Sequence, residues 1–104
     1  MKVKSITIEG RRWLQRSYGN TYHSVRVAVM LDDGTVESFD SGKHYGYGEA
    51  YNKTALDIME GKFNIFVPRY QNGVRHYGYL SRWAVENNVP CTVTVQDVVR
   101  EKDL

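Results

Sequence analysis

The sequence predicts an α+β fold: an antiparallel three-stranded meander, then two helices, then a C-terminal strand, in the order βββααβ with both helices on one face of the sheet. Three observations carry this expectation. His23, Val25, Val27, Val29 and Leu31 alternate strictly with Tyr22, Ser24, Arg26, Ala28 and Met30, the period of a half-buried strand. Asp33-Gly34 follows that run directly, and Asp-Gly supplies the backbone conformation that a tight hairpin demands. Beyond Glu49 the apolar residues switch to helical spacing.

Each element has its own signal. Val3 to Glu9 alternates, with Ile6 and Ile8 on one face, and Gly10 is expected to bend or bulge this first strand before Arg11 to Arg16. Tyr18-Gly19-Asn20-Thr21 is a turn, and the central strand follows it. A third strand spans about Thr35 to Asp40. Tyr51, Ala55, Ile58 and Met59 fall at i, i+4, i+7 and i+8, so a first helix covers Glu49 to Glu60, with Gly61 expected to close it in the left-handed conformation. Residues 62–73 read as irregular or a short strand. Leu80, Trp83, Ala84 and Asn87 mark a second helix that begins near Arg75 or Tyr77 and ends near Asn88, ahead of Pro90. Cys91, Val93 and Val95 alternate as a last strand, and residues 97–104 read as a charged tail expected to fray.

The chain of 104 residues is expected to be one domain, 1–104. Its composition, 41% hydrophobic and 25% charged with two prolines, is that of a folded protein rather than a disordered one. No apolar run approaches the length of a spanning helix and a lone Cys91 cannot form an intramolecular disulfide, so no membrane partner and a reducing cytoplasm are expected. The net charge is only +2, yet it is unevenly spread. Lys2, Lys4, Arg11, Arg12, Arg16 and Arg26 face one acid in the first 31 residues, whereas Asp32, Asp33, Glu37 and Asp40 follow without a cation. A second basic stretch, Lys62 to Arg82, is interleaved with Phe63, Phe66, Tyr70, Tyr77 and Tyr79. Cations beside exposed rings suit phosphates and bases. The plainer account makes the rings core and the cations a solubilising rim.

The tetrapeptide His-Tyr-Gly-Tyr occurs twice, at residues 44–47 and 76–79. Lys43 precedes the first copy and Arg75 the second, and both copies fall at the entrance of an expected helix. Nothing else matches across the 32-residue offset, and two copies are too few for a repeat array. Chance or shared local packing accounts for the pair. The sharper alternative is an anion site at two helix N-termini, served by Lys43, His44, Tyr45, Tyr47, Arg75, His76 and Tyr77. Consecutive antiparallel helices begin at opposite ends of a sheet, so a homodimer is one arrangement that would unite the copies.

Signals for chemistry are weak. His23, His44 and His76 lack ligand spacing, so no metal is expected, and no Gly-x-Ser-x-Gly, His-Glu-x-x-His or Walker loop is present. No catalytic residue or cofactor is assigned, and a small enzyme ranks third among the readings. His23 shares the register of the central valines and reads as a satisfied core histidine.

The blocks ITIEGRRW (6–13), GNTYHSVRV (19–27) and YGYGEAYNKTA (45–55), with a Trp-bearing helix such as LSRWAVENN (80–88), resemble a group of small phage-encoded proteins of unknown function. The resemblance covers most of the first 55 residues, and residues 61–79 depart from it. It implies a phage origin and action in the host-cell cytoplasm, and it throws weight on Arg11, Arg12, Trp13, Asn20, Tyr22, His23, Tyr45, Tyr47 and Tyr51. The first functional expectation is a non-catalytic accessory protein that binds a host or viral macromolecule, such as a host or phage protein, or a nucleotide, in counter-defence or host takeover. The alternative is a nucleic-acid-binding domain with Arg11, Arg12, Arg16 and Arg26 on phosphates and Trp13 or Tyr22 stacked on a base. An acidic DNA mimic is disfavoured by the net charge.

Overall fold

The computed structural model describes residues 2–62, 69–71, 74–76 and 78–104, with 69–71 and 74–76 described as strands only. Its elements are β1 (Val3–Gln15), β2 (Asn20–Leu31), β3 (Val36–Asp40), β4 (His44–Tyr45), α1 (Ala50–Lys62), β5 (Arg69–Gln71), β6 (Val74–His76), α2 (Leu80–Glu86), β7 (Cys91–Val98) and a 3₁₀ turn at Glu101–Asp103. The α+β class and the antiparallel β1-β2-β3 meander hold. The sheet, however, has five strands of mixed direction, ordered β3-β2-β1-β7 with β4 also on β2, and β7 runs parallel to β1. Alternation of Cys91, Val93 and Val95 reads the same in either direction. What sets it is where the chain enters: the Pro90 carbonyl accepts from the Ile6 N–H at 2.9 Å, so β7 starts beside the early part of β1.

One face of the sheet is buried. Ile6 and Ile8 of β1 and Val25, Val27, Val29 and Leu31 of β2 form a core with Tyr51, Ala55 and Met59 of α1 and Leu80 and Ala84 of α2. Both helices therefore lie on the same face, and every apolar position assigned to the inner side of β2 is buried there. Burying each of these aliphatic side chains contributes roughly 1.5–3 kcal/mol.

Several local expectations need correction. β1 passes Gly10 without a break, and its register shift lies between Val3 and Ser5. Gly10 serves close approach instead: a Cβ there would lie 2.5 Å from Cδ2 of Tyr51. α1 continues through Gly61 to Lys62, so Gly61 does not close it. The second helix starts at Leu80 because Val74–His76 pairs with β5 as a strand. Its end is as expected, with Asn88 at φ 56° and the Val89 N–H donating to the Ala84 carbonyl at 2.8 Å. Residues 97 and 98 continue β7, and the chain then closes in the 3₁₀ turn, where Glu101 accepts from Lys43 Nζ at 2.7 Å. The Asp-Gly turn uses Gly34 at φ 87°, while the Asp33 carboxylate accepts from the Thr35 N–H at 2.8 Å.

The start of α2 is capped from another helix. Tyr79 stands at its N-cap and makes no side-chain cap bond. Buried Asn52 of α1 does the work: its Oδ1 accepts from the Ser81 N–H at 3.1 Å and its Nδ2 donates to Ser81 Oγ at 2.8 Å. An unmet donor in this setting costs about 1–3 kcal/mol. Asn52→Ala is expected to destabilise by that amount, checked by chemical denaturation, and a loss no larger than that of an exposed Lys53→Ala control would refute the capping role.

Candidate functional site

The register of the sheet sorts the candidate residues into two cross-strand rows on opposite faces. On the helix-covered face the core ends in a polar row, Asp97–Arg12–His23–His44, one residue from each of β7, β1, β2 and β4. On the opposite face, left uncovered by both helices, the matching row is Val98–Trp13–Tyr22–Tyr45. Adjacent residues in a strand point to opposite faces, so Arg12 and Trp13 cannot share a surface. An uninterrupted Gly10 decides which of the two faces each one takes, since a bulge there would have shifted the parity of everything after it.

Arg12 is accordingly removed from the basic surface expected for it. Its Nε and Nη2 donate to the two Asp97 oxygens at 2.7 and 3.2 Å, and Nη1 donates to the Gly48 carbonyl at 3.1 Å. It borders, with Leu14, Thr21 and Tyr47, an open hollow of about 410 Å³. Tyr51, whose ring covers Gly10, has its hydroxyl pKa raised, chiefly by burial and further by Glu49, against the opposing pull of Arg12.

His23 is buried and satisfied, as its register predicts. The Gly46 carbonyl, 3.1 Å from Nδ1, can only accept, so Nδ1 carries the proton and Nε2 accepts from the Thr54 hydroxyl at 2.7 Å. Burial lowers the His23 pKa below its ordinary value, the bond to Gly46 opposes that shift, and His44 adds to it. The His44 ring stacks on His23 at 5.9 Å, with its own Nε2 3.1 Å from the Ser41 carbonyl. The loop ahead of α1 thus turns the Gly46 carbonyl toward His23 and the Gly48 carbonyl toward Arg12, while the Gly46 N–H donates to the Thr21 carbonyl at 3.0 Å. These are internal braces.

Of the second copy, Arg75 and His76 lie in β6, and Tyr77 lies outside the described residues. Both copies do connect a short strand to a helix. In the second basic-aromatic stretch, Phe63 and Phe66 also lie outside the described residues.

The uncovered face holds the site. Trp13 and Tyr22 are directly opposed and stack with centroids 5.9 Å apart at 29°, and Tyr45 meets Tyr22 edge-on at 5.6 Å. Lys43 Nζ stands 4.7 Å from the Tyr22 ring centre while bound to Glu101, the bond that chiefly raises its pKa. Trp13 and Tyr22 are half-buried and Tyr45 is 66% exposed. The rows beside the aromatic one are polar: Gln96–Arg11–Ser24, then Thr94–Glu9–Arg26–Asp40. Arg26 lies 3.7 Å from Asp40, and Arg11 makes no ion pair among the described residues. The sheet brings together Arg11, Trp13, Tyr22, Arg26, Lys43 and Tyr45, and it places Arg12, His44 and Tyr47 elsewhere.

Asp97 and Glu101, which tie down Arg12 and Lys43, gave no signal in the sequence because they fall in the stretch that reads as a tail. Among the described residues no three His, Cys, Asp or Glu side chains converge, and no helix is long and apolar enough to cross a membrane. Fold and site define an α+β protein with a five-stranded mixed sheet, helices on one face and an aromatic row on the other. Comparison with known protein families, with curated proteins and with solved structures finds no match to this chain.

Proposed function

We propose that this is a non-catalytic phage accessory protein that works in the host cytoplasm by docking the uncovered face of its sheet on a protein partner, in counter-defence or host takeover. The phage setting rests on the three sequence blocks described above. The mode of action rests on one observation: a row of three packed aromatic rings, with Lys43 and Arg11 beside it, lies on a sheet face that neither helix covers. Rings and arginine at the centre of a patch, ringed by polar residues, are the composition of protein-binding hot spots.

Charge favours a protein over a nucleic acid. Arg11, Arg26 and Lys43 are offset on this face by Glu9, Asp40 and Glu101, and two of the cations are already engaged by acids. A phosphate-tracking surface needs uncompensated cations. With Arg12 turned to the other face, few remain. The stacked pair of Trp13 and Tyr22 keeps base stacking as the second reading.

One measurement separates the two. A crosslinked partner from host lysate should be identified with the wild-type chain, and its affinity should drop about 30-fold or more with Trp13→Ala, the weight of a single hot spot, while depending weakly on salt. Single-stranded oligonucleotide binding whose affinity falls steeply with added salt, by about 0.7 log unit per phosphate contact for each tenfold rise in salt, together with quenching of Trp13, would replace this reading with the nucleic-acid one.

A further inference from the structure

We infer that the edge of β7, which pairs with no further strand among the described residues, is a dimerisation strand, pairing antiparallel with β7 of a second copy about a two-fold axis through Thr94. The sheet has two edges, and they are built differently. The β3 edge is five residues long, carries Glu37 and Asp40, and is cut short by an extra residue in Ser41–Lys43 opposite β2. Short length, charge and bulges are the devices that keep sheet edges from pairing. β7 has none of them over residues 91–96, Cys-Thr-Val-Thr-Val-Gln, a run without charge, proline or glycine. Val93 and Val95 on its helix-facing side are 38% and 42% exposed, although their cross-strand neighbours Ile8 and Gly10 are buried.

The backbone then selects the register. Because the Pro90 carbonyl bonds to β1, the alternating pattern of a strand turns the polar groups of even residues toward β1 and those of Cys91, Val93, Val95 and Asp97 toward the open edge. Two copies related through Thr94 set Val93 opposite Val95 of the second copy as a hydrogen-bonded pair. Each Val95 meets the other Val93 likewise, and each Asp97 meets Cys91, so no like charges are opposed. Four half-exposed valines are covered together on the helix side. Thr94 meets its own copy in the close, non-hydrogen-bonded geometry. The axis is perpendicular to the sheet, so both aromatic rows lie on the same side of one continuous ten-stranded surface. This inference stands on the β7 edge alone and is independent of what the aromatic row binds.

Sedimentation equilibrium of the full chain tests it. The wild type is expected to dimerise in the micromolar range suited to a small interface. Thr94→Lys, which places two ammonium groups face to face on the axis, is expected to raise the dissociation constant by at least about tenfold without changing the circular dichroism spectrum. In a Cys91→Ala background, Thr94→Cys is expected to form a disulfide-linked dimer on mild oxidation, since a separation of about 4.5 Å between opposed Cα atoms lies within disulfide reach. A wild type that stays monomeric at millimolar concentration overturns the inference and leaves the edge for a strand of another protein. A dimer that survives Thr94→Lys and resists crosslinking overturns it as well.

Discussion

Gly10→Ala is expected to lower the melting temperature by about 10 °C, from a loss of about 2 kcal/mol in a chain of this size. An exposed glycine in a strand would give the opposite result, because alanine restricts the unfolded chain and fits a strand better. Here the added methyl would lie 2.5, 2.7 and 3.0 Å from Cδ2, Cγ and Cε2 of Tyr51. The ring cannot retreat cheaply, for Tyr51 is itself buried in the core. Either α1 lifts from the sheet or β1 bows away from it. The double variant Gly10→Ala/Tyr51→Ala is the control: the two losses should be less than additive, since truncation to Ala removes the atoms that the methyl meets. A neutral Gly10→Ala would mean that the ring does not pack on this strand.

His23 is expected to make the fold acid-sensitive. Its pKa in the folded chain is lowered from about 6.5, chiefly by burial. In the unfolded chain it takes up a proton more readily, so its contribution to stability is complete above about pH 6.5 and is lost as the pH falls through the lower, folded value. The structural cause is specific. The Gly46 carbonyl already holds the proton on Nδ1, Thr54 donates to Nε2, and the neighbouring His44 ring disfavours a second charge. His23→Gln keeps a donor and an acceptor but cannot titrate, and it should flatten the fall in melting temperature between pH 7.5 and 5. His23→Ala should cost about 3 kcal/mol at neutral pH through the cavity and the lost bonds. If the glutamine variant keeps the wild-type slope, the acid sensitivity belongs to another histidine.

The corrections share a pattern. Gly10 was legible as an exception inside a strand, but a bulge and a close approach leave the same mark in a sequence, and only the position of Tyr51 distinguishes them. That ambiguity propagated, because the parity of β1 beyond Gly10 decides whether Arg12 joins the basic surface or the polar row on the helix-covered face. Lys43 and Arg12 were legible as candidate cations. Their partners Glu101 and Asp97, 58 and 85 residues away, leave no local trace at all.

What the sequence determined by itself was local. The two-residue period of His23 to Leu31 identified the strand and the side that would be buried, since a strand with one wet face can satisfy the hydrophobic effect in one orientation only. The spacing of Tyr51, Ala55, Ile58 and Met59 did the same for α1, and the Asp-Gly pair placed the β2-β3 turn. The tertiary structure alone decided which strands are neighbours. It put β7 parallel to β1, lined up Trp13, Tyr22 and Tyr45 across three strands, and made Asn52 the cap of a helix that has none of its own. Periodicity is a property of a few consecutive residues. Cross-strand register, in contrast, is settled by contacts between segments far apart in the chain, where many pairings satisfy the same local pattern and only the packing of the whole core selects one.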